Sequence, residues 1–181
     1  GNLNLAGTMQ TIHDLSKPTD GGQVKLTADT GNVTIANGSL VNVAAPAAGG
    51  NAGSVVVSSP LGNFVLNGVM AGQGGSGGRN GEFSLDAATI PDLLGLNQTL
   101  NTAGFTAARN LRVRTGNVIL DGISNAQIFR LSVDAGTLTV NGTINASGLE
   151  GGTIALDANG ALVLNSTAVL TTAAQRFNTA G

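Results

Sequence analysis

The chain has 181 residues, a net charge of −2 at pH 7 and only 10% charged residues, with 28 glycines and no cysteine. So low a charge, acids outnumbering bases, argues against a nucleic-acid partner. No apolar run approaches a membrane span and no basic, hydrophobic signal opens the chain, so membrane insertion is set aside. Disorder fails because Val, Ile and Leu recur at period two, and collagen fails because glycine has no period of three.

Read from its start, the chain repeats one phrase: a Gly-Asn turn, two or three alternating apolar residues, then Asn-Gly. Gly1 to Gly7 is a loose copy, followed by a short apolar touch at Met9 and Ile12. An alternating strand at Val24-Lys25-Leu26 precedes the next copy, Gly31 to Gly38, with Leu40 and Val43 after it. Val55-Val56-Val57 precedes Gly62-Asn63-Phe64-Val65-Leu66-Asn67-Gly68, and Val69-Met70 follows. Apolar residues at i and i+2 define a strand with one buried face, and Gly and Asn at both ends supply tight turns.

Phe83-Ser84-Leu85 opens the next unit, but no phrase follows it. Instead 54 residues separate Gly62 from Gly116, against 31 between Gly31 and Gly62. Inside that gap Pro91 and the leucines up to Leu100 have helical spacing, with Asn101 as a candidate end. Residues 86–109 are read as an irregular insertion, with a loop or short helix near residues 90–104. Two readings stand for it: a protruding element that carries binding, or a helix packing its leucines over a gap in the sheet.

The pattern then resumes. Leu111-Arg112-Val113 precedes Gly116-Asn117-Val118-Ile119-Leu120-Asp121-Gly122 and Ile123; Leu131-Ser132-Val133 precedes Gly136 to Gly142 and Ile144. Ile154-Ala155-Leu156 precedes Gly160 to Ser166, with Val169-Leu170 last. A strand–turn phrase at intervals of 20 to 31 residues, with no helical period between copies, predicts an all-β, right-handed parallel β-helix of three sides and about six turns, forming one unit over 1–181. Stacked at ~4.8 Å, six turns make a rod only ~30 Å long. The prolines, Pro18, Pro46, Pro60 and Pro91, are expected between strands, where a missing N–H does no harm.

Register predicts two side-chain ladders, Asn32, Asn63 and Asn117 in one, and Asn37, Asn67, Asp121, Asn141 and Asn165 in the other, hydrogen-bonded from turn to turn. Gly38, Gly68, Gly122 and Gly142 follow as turn glycines needing positive φ, as does Gly7. Asn32, Asn37, Asn97, Asn141, Asn145 and Asn165 also fit Asn-x-Ser/Thr, but the ladder reading is favoured because most occupy repeat positions. Asp86, Arg114, Asp134 and Asp157 are expected in one outward column, with Glu82 and Arg130 in another. Arg112 and Arg114 form the one dense basic spot, a candidate surface-binding patch or a solvated strand face.

Catalytic chemistry finds little to work with. His13, the only histidine, has no cysteine partner and reads as an exposed turn residue. The acids fall one per turn, so no catalytic, metal or cofactor-binding residue is assigned. Gly72 to Gly78 lacks both the Lys-Ser/Thr of a phosphate loop and the alternating Asp of a calcium repeat, and reads as a flexible surface loop like Ala47 to Gly53.

Gly151-Gly152-Thr153-Ile154-Ala155-Leu156-Asp157-Ala158, then Gly160-Ala161-Leu162-Val163-Leu164 and Ala168-Val169-Leu170, resembles the haemagglutinin-type repeat of filamentous haemagglutinin-like proteins. The Asn-Gly phrase of earlier turns is also similar, so the resemblance covers nearly the whole chain. It implies an internal shaft segment of a large exoprotein that leaves the cell by two-partner secretion, through a segment absent here, because no Asn-Pro of that family's secretion signature occurs. Secretion, display on the bacterial outer surface, adhesion to a host-cell or matrix receptor or to other bacterial cells, and virulence follow from the same resemblance. The runner-up is a carbohydrate-active β-helix of pectate lyase or tailspike type, disfavoured by the absence of Trp and Tyr. An ice-binding solenoid is disfavoured by charges in its outward column.

A chain that opens inside a repeat phrase at Gly1 is read as a piece of a longer one. Leu3, Leu5, Met9 and Ile12 at one end, and Val163, Leu170 and Phe177 at the other, predict uncapped ends. Thr179-Ala180-Gly181 followed by Gly1-Asn2-Leu3 reads as a repeat junction, so copies are expected to stack head to tail.

Overall fold

The computed structural model describes residues 1–176. About half of the chain is strand, a single helix is present among the described residues, and the repeated strands pair in parallel, so the class is all-β. Strands β1 (Asn2–Asn4), β2 (Met9–Ile12) and β3 (Leu15–Pro18) come first. Six successive tiers follow. Tier 1 holds β4 (Gln23–Thr27), β5 (Val33–Ile35) and β6 (Leu40–Asn42); tier 2 holds β7 (Ser54–Leu66) and β8 (Val69–Ala71). Tier 3 holds β9 (Glu82–Thr89) and α1 (Leu93–Thr102). Tier 4 is β10 (Ala108–Val113), β11 (Val118–Leu120) and β12 (Ile123–Asn125); tier 5 is β13 (Ile128–Val133), β14 (Leu138–Val140) and β15 (Thr143–Asn145). Tier 6 is β16 (Thr153–Ala158), β17 (Leu162–Leu164) and β18 (Val169–Thr171).

Only the first strand of each tier joins a sheet that runs through all six, in the order β4-β7-β9-β10-β13-β16. Its inward column is Val24, Val55, Phe83, Arg109, Phe129 and Ile154, at steps of 31, 28, 26, 20 and 25 residues. The other two sheets are each cut at tier 3. β1-β6-β8 and β12-β15-β18 lie on either side of the break, as do β5 with the end of β7 and β11-β14-β17. Aromatic rings fill the middle: Phe64, Phe83, Phe105 and Phe129 are buried, and Phe83 meets Phe64 at 5.9 Å and Phe105 at 6.2 Å between ring centres. Phe177 lies outside the described residues.

Helix α1 occupies the break and does not protrude. Pro91 and the Asp92 cap start it, the Asp92 carboxylate accepting from Gly95 N–H at 2.8 Å. Its buried residues are Leu93, Leu96, Asn97 and Leu100. One end meets the cut sheet through Gly72 N–H to Ala103 O (2.7 Å) and Gln73 Nε2 to Thr102 O (3.1 Å). On the other side Asn101 stands in for a neighbouring strand: its Nδ2 donates to Ile123 O and its Oδ1 accepts from Asn125 N–H, satisfying the open edge of β12. The irregular stretch is residues 90–107, shorter than the 86–109 expected, because β9 and β10 keep strand register up to Thr89 and from Ala108.

Several expectations about register are corrected. Leu3 belongs to the strand set of Leu40 and Val69, not to that of Val33, because β1 pairs with β6. Met9 and Ile12 form no tier: β2 and β3 make an antiparallel hairpin whose turn, His13-Asp14, has φ of 47° and 62°. Pro60 lies within β7, at the register shift between Ser59 and Asn63 where the strand turns a corner from one sheet to the next. The outermost tiers also differ from each other. Val24, Val33 and Ile35 in tier 1 are 5–9% exposed, whereas Leu162 and Leu164 in tier 6 are 46% and 54% exposed. Ahead of tier 1, Leu3, Leu5, Met9 and Ile12 are exposed, as are Val163 and Leu170 at the other end, which is the exposure expected at both ends; Phe177 and the junction residues Thr179 to Gly181 lie outside the described residues.

Candidate functional site

The outer face of the sheet that runs through all six tiers carries a concavity of about 540 Å³. Small outward residues in its middle, Ser58, Ser84 and Ser132, make the floor, and Lys25, Arg112 and Arg130 stand at the rim. Alternation along β-strands dictates this: the inward neighbours of the same residues are the buried Val57, Leu85 and Leu131.

Four charges dominate this face, in an arrangement that differs from the expected column. Asp86 is in register with Arg112, Ser132 and Asp157, whereas Arg114 stands two residues further along the strand beside Asp134. The ion pairs run diagonally. Arg114 grips Asp86 with Nε at 2.6 Å and Nη2 at 2.8 Å, and Arg112 grips Asp134 with Nε at 2.9 Å and Nη2 at 2.8 Å. A weaker contact, Arg112 Nη1 to Asp86 at 3.9 Å, closes the quartet. The Arg114 hydrogen bond holds the Asp86 carboxyl below the usual carboxylate range against a smaller opposing effect of burial. Asp134 and Asp86 in turn hold Arg112 and Arg114 above their ordinary values. Arg112 and Arg114 are thus matched charge for charge on a partly solvated strand face. Glu82 and Arg130 share no column: Glu82 aligns with Ala108 and Ile128, and Arg130 aligns with Ser84 and Asn110.

The ladders exist in a changed form. Asn32 Oδ1 accepts from Asn63 N–H at 2.8 Å, and Asn63 Oδ1 accepts from Thr89 Oγ1 at 2.6 Å. Asn117 is not the next rung, because tier 3 stands between; its Oδ1 accepts from Thr137 N–H at 2.9 Å. Asp121, Asn141 and Asn165 form a continuous run, Asn141 Nδ2 donating to Asp121 (2.8 Å) and Asn165 Nδ2 to Asn141 Oδ1. Asn37 lies out of register. Ile35 pairs with Leu66, which sets Ala36 against Asn67, and two extra residues before Leu40 carry Asn37 to the tip of a turn. Gly38 and Gly122 have positive φ (76° and 67°). Gly68 and Gly142 do not; their requirement is close approach, since a Cβ at Gly142 would collide with the Gly122 carbonyl oxygen.

Other groups went unread in the sequence. Asp20 accepts from Asn51 N–H and Nδ2, and Asn51 Oδ1 accepts from Arg79 N–H, a third ladder whose backbone bond holds Asp20 below the usual carboxylate range. It ties the Gly72–Gly78 loop to Ala47–Gly53, with Gly75 N–H donating to Gly50 O and Ser76 N–H to Ala47 O, so that loop is stacked rather than flexible. Asn4, Asn42 and Asn145 each accept from the backbone N–H two residues on, a repeated Asx turn that closes the third strand. Above all, Arg109 is fully buried and donates to Asn97 Oδ1 (2.9 Å), Asn101 Oδ1 (3.1 Å), Phe105 O (3.1 Å) and Asn125 O (3.3 Å). Among the described residues no carboxylate answers it, and burial lowers its pKa to about 10, which leaves it charged at neutral pH. Alternation with Leu111 and Val113 was the available signal that Arg109 points inward.

His13 is exposed at the hairpin tip, and among the described residues no three of His, Cys, Asp or Glu converge to hold a metal ion. No family model, curated protein or solved structure matches this chain.

Proposed function

We propose that the chain is a right-handed parallel β-helix that serves as a structural and adhesive shaft segment of a filamentous haemagglutinin-like surface exoprotein, without enzymatic activity. The supporting observation is the six-tier sheet and the way its polar groups are used. Arg112, Arg114, Asp86 and Asp134 neutralise one another on the outer face, and the corner asparagines bond to the next tier. Side chains so committed brace a repeat array; they are not free to act as acids, bases or nucleophiles. The resemblance of residues 151–170 to the haemagglutinin-type repeat supplies the secreted, surface-displayed setting, with a cell, matrix or bacterial receptor as partner, an outer-membrane secretion partner, and end-to-end contact between copies as an added route to filaments.

The test is a pair of assays on the isolated chain. Displayed on beads, it is expected to adhere to cells or matrix proteins, and it should leave pectin-like and other acidic polysaccharides uncut. Cleavage abolished by Asp134→Asn or Arg112→Ala would overturn the shaft reading in favour of a carbohydrate-active β-helix.

A further inference from the structure

Five Asn-Gly steps occur in the sequence, at Asn37, Asn67, Asn80, Asn141 and Asn159. Asn-Gly is the dipeptide in which the following amide nitrogen most readily reaches the Asn carboxamide, since glycine offers no side chain to hinder it. Whether it reacts in a folded chain depends on whether that nitrogen and that carboxamide are already engaged.

Four of the five steps have their glycine N–H bonded to a carbonyl. Gly68 donates to Ile35 O (2.9 Å), Gly142 to Leu120 O (3.0 Å), Gly160 to Gly136 O (2.9 Å), and Gly81 to Gly72 O (2.7 Å) and Gly104 O (2.9 Å). Two of the carboxamides are held as well. Asn141 is a rung of the ladder, and Asn80 accepts from Gly74 N–H while donating to Thr106 Oγ1. At Asn37 both restraints are missing. Its side chain has no hydrogen-bond partner and the Gly38 N–H has no acceptor among the described residues; both residues are exposed. The cause is the pair of extra residues that lifts Asn37 out of the ladder. They make an Ala36-Asn37-Gly38-Ser39 turn, closed by Ser39 N–H to Ala36 O at 3.0 Å, with Gly38 at φ 76°.

We infer that Asn37 is a self-modification site, deamidating through a succinimide while the other four Asn-Gly steps are protected by the fold. The Gly38 amide nitrogen, losing its proton to hydroxide, bonds to Asn37 Cγ. The Cγ–Nδ2 bond breaks and Nδ2 leaves as ammonia, giving a five-membered imide. Water then adds to one of the two imide carbonyls, opening the ring to aspartate or to isoaspartate. No electrons are transferred, and water and hydroxide are the only co-reactants. Either product places a new negative charge at the corner between β5 and β6, and isoaspartate also reroutes the backbone through the β carbon.

The experiment needs no variant. The full chain is aged in neutral and in mildly alkaline buffer, native and in denaturant, and each Asn-Gly step is followed by peptide mass spectrometry with isoaspartyl methyltransferase labelling. In native buffer Asn37 is expected to react at least about ten-fold faster than each of the other four, which must first break a backbone hydrogen bond. In denaturant the five should converge, and the Asn37 rate should rise with pH. Asn67, Asn80, Asn141 or Asn159 keeping pace with Asn37 in native buffer would overturn the inference. So would a pH-independent rate at Asn37.

Discussion

Corner glycines in this chain answer to the tier before them. A Cβ at Gly68 would sit 2.7 Å from the Ala36 and Ser39 carbonyl oxygens, and one at Gly75 would collide with those of Pro46 and Gly49, whereas Gly31 faces open space. Gly68→Ala and Gly75→Ala should therefore each cost about 1–3 kcal/mol, as overpacked sites do, while Gly31→Ala stays within about 0.5 kcal/mol. Thermal melts of the three variants check this; a Gly75→Ala melt matching Gly31→Ala would mean the glycine loops do not stack. Among charged residues, Asp86 has its folded pKa depressed, so the stability it contributes is present above the unfolded value near 4 and is lost as pH falls through the folded one. Because the pair is partly exposed, Asp86→Asn should cost no more than ~1 kcal/mol at neutral pH. In denaturant titrations that difference should shrink as pH falls through the depressed Asp86 value and vanish once pH lies below it.

At the scale of elements, α1 is fixed by a cation rather than by its leucines alone. Arg109 bonds Asn97, Asn101 and Phe105 at the end of the helix and Asn125 in β12, so Arg109→Met would strand the buried Asn97 Oδ1 and Phe105 O and unpair the part-buried Asn125 O, while Asn101 Oδ1 keeps the Asn125 N–H. The loss should be about 3 kcal/mol or more, despite the relief of a buried charge. Amide exchange in α1 should rise well before exchange in β13. The strand elements were legible because one buried face imposes period two, and Gly or Asn marks the corners between tiers. The helix at residues 93–102 was legible from Pro91 and the leucine spacing. What stayed hidden depends on tier-to-tier offset. Arg112 rather than Arg114 stands level with Asp86, and Asn37 misses the ladder by one position, because corners differ in length. A single sequence reports periodicity along a strand but not the number of residues each corner consumes. The hairpin of β2 and β3 was missed for another reason: its apolar residues mimic a core strand, yet Ile12 and Leu15 are 68% and 59% exposed.

Across the whole molecule, two of the three sheet sets are interrupted at one level. Tiers 4, 5 and 6 are joined to one another by three sheets, but tiers 2 and 4 communicate through β9, α1 and the loop 103–107 that follows it. In repeat proteins cooperativity is carried by nearest-neighbour interfaces. Leu100, fully buried in the last turn of the helix, is the place to weaken this one. Leu100→Ala should cost about 2–5 kcal/mol and split a single calorimetric transition into two, with tiers 1–2 and tiers 4–6 melting apart. A single transition at lower temperature would show that β9 and the 103–107 loop couple the halves.

The same interruption has a mechanical meaning. A load drawn along the stacking direction passes through three parallel ladders of backbone hydrogen bonds within tiers 4 to 6, but through one ladder and a packed helix at tier 3. Side-chain packing gives way over shorter extensions than a ladder of aligned bonds, so the chain carries a built-in fuse at its third tier. A pulled molecule would part there first, leaving the two flanking blocks intact and able to rejoin when α1 closes again over β12.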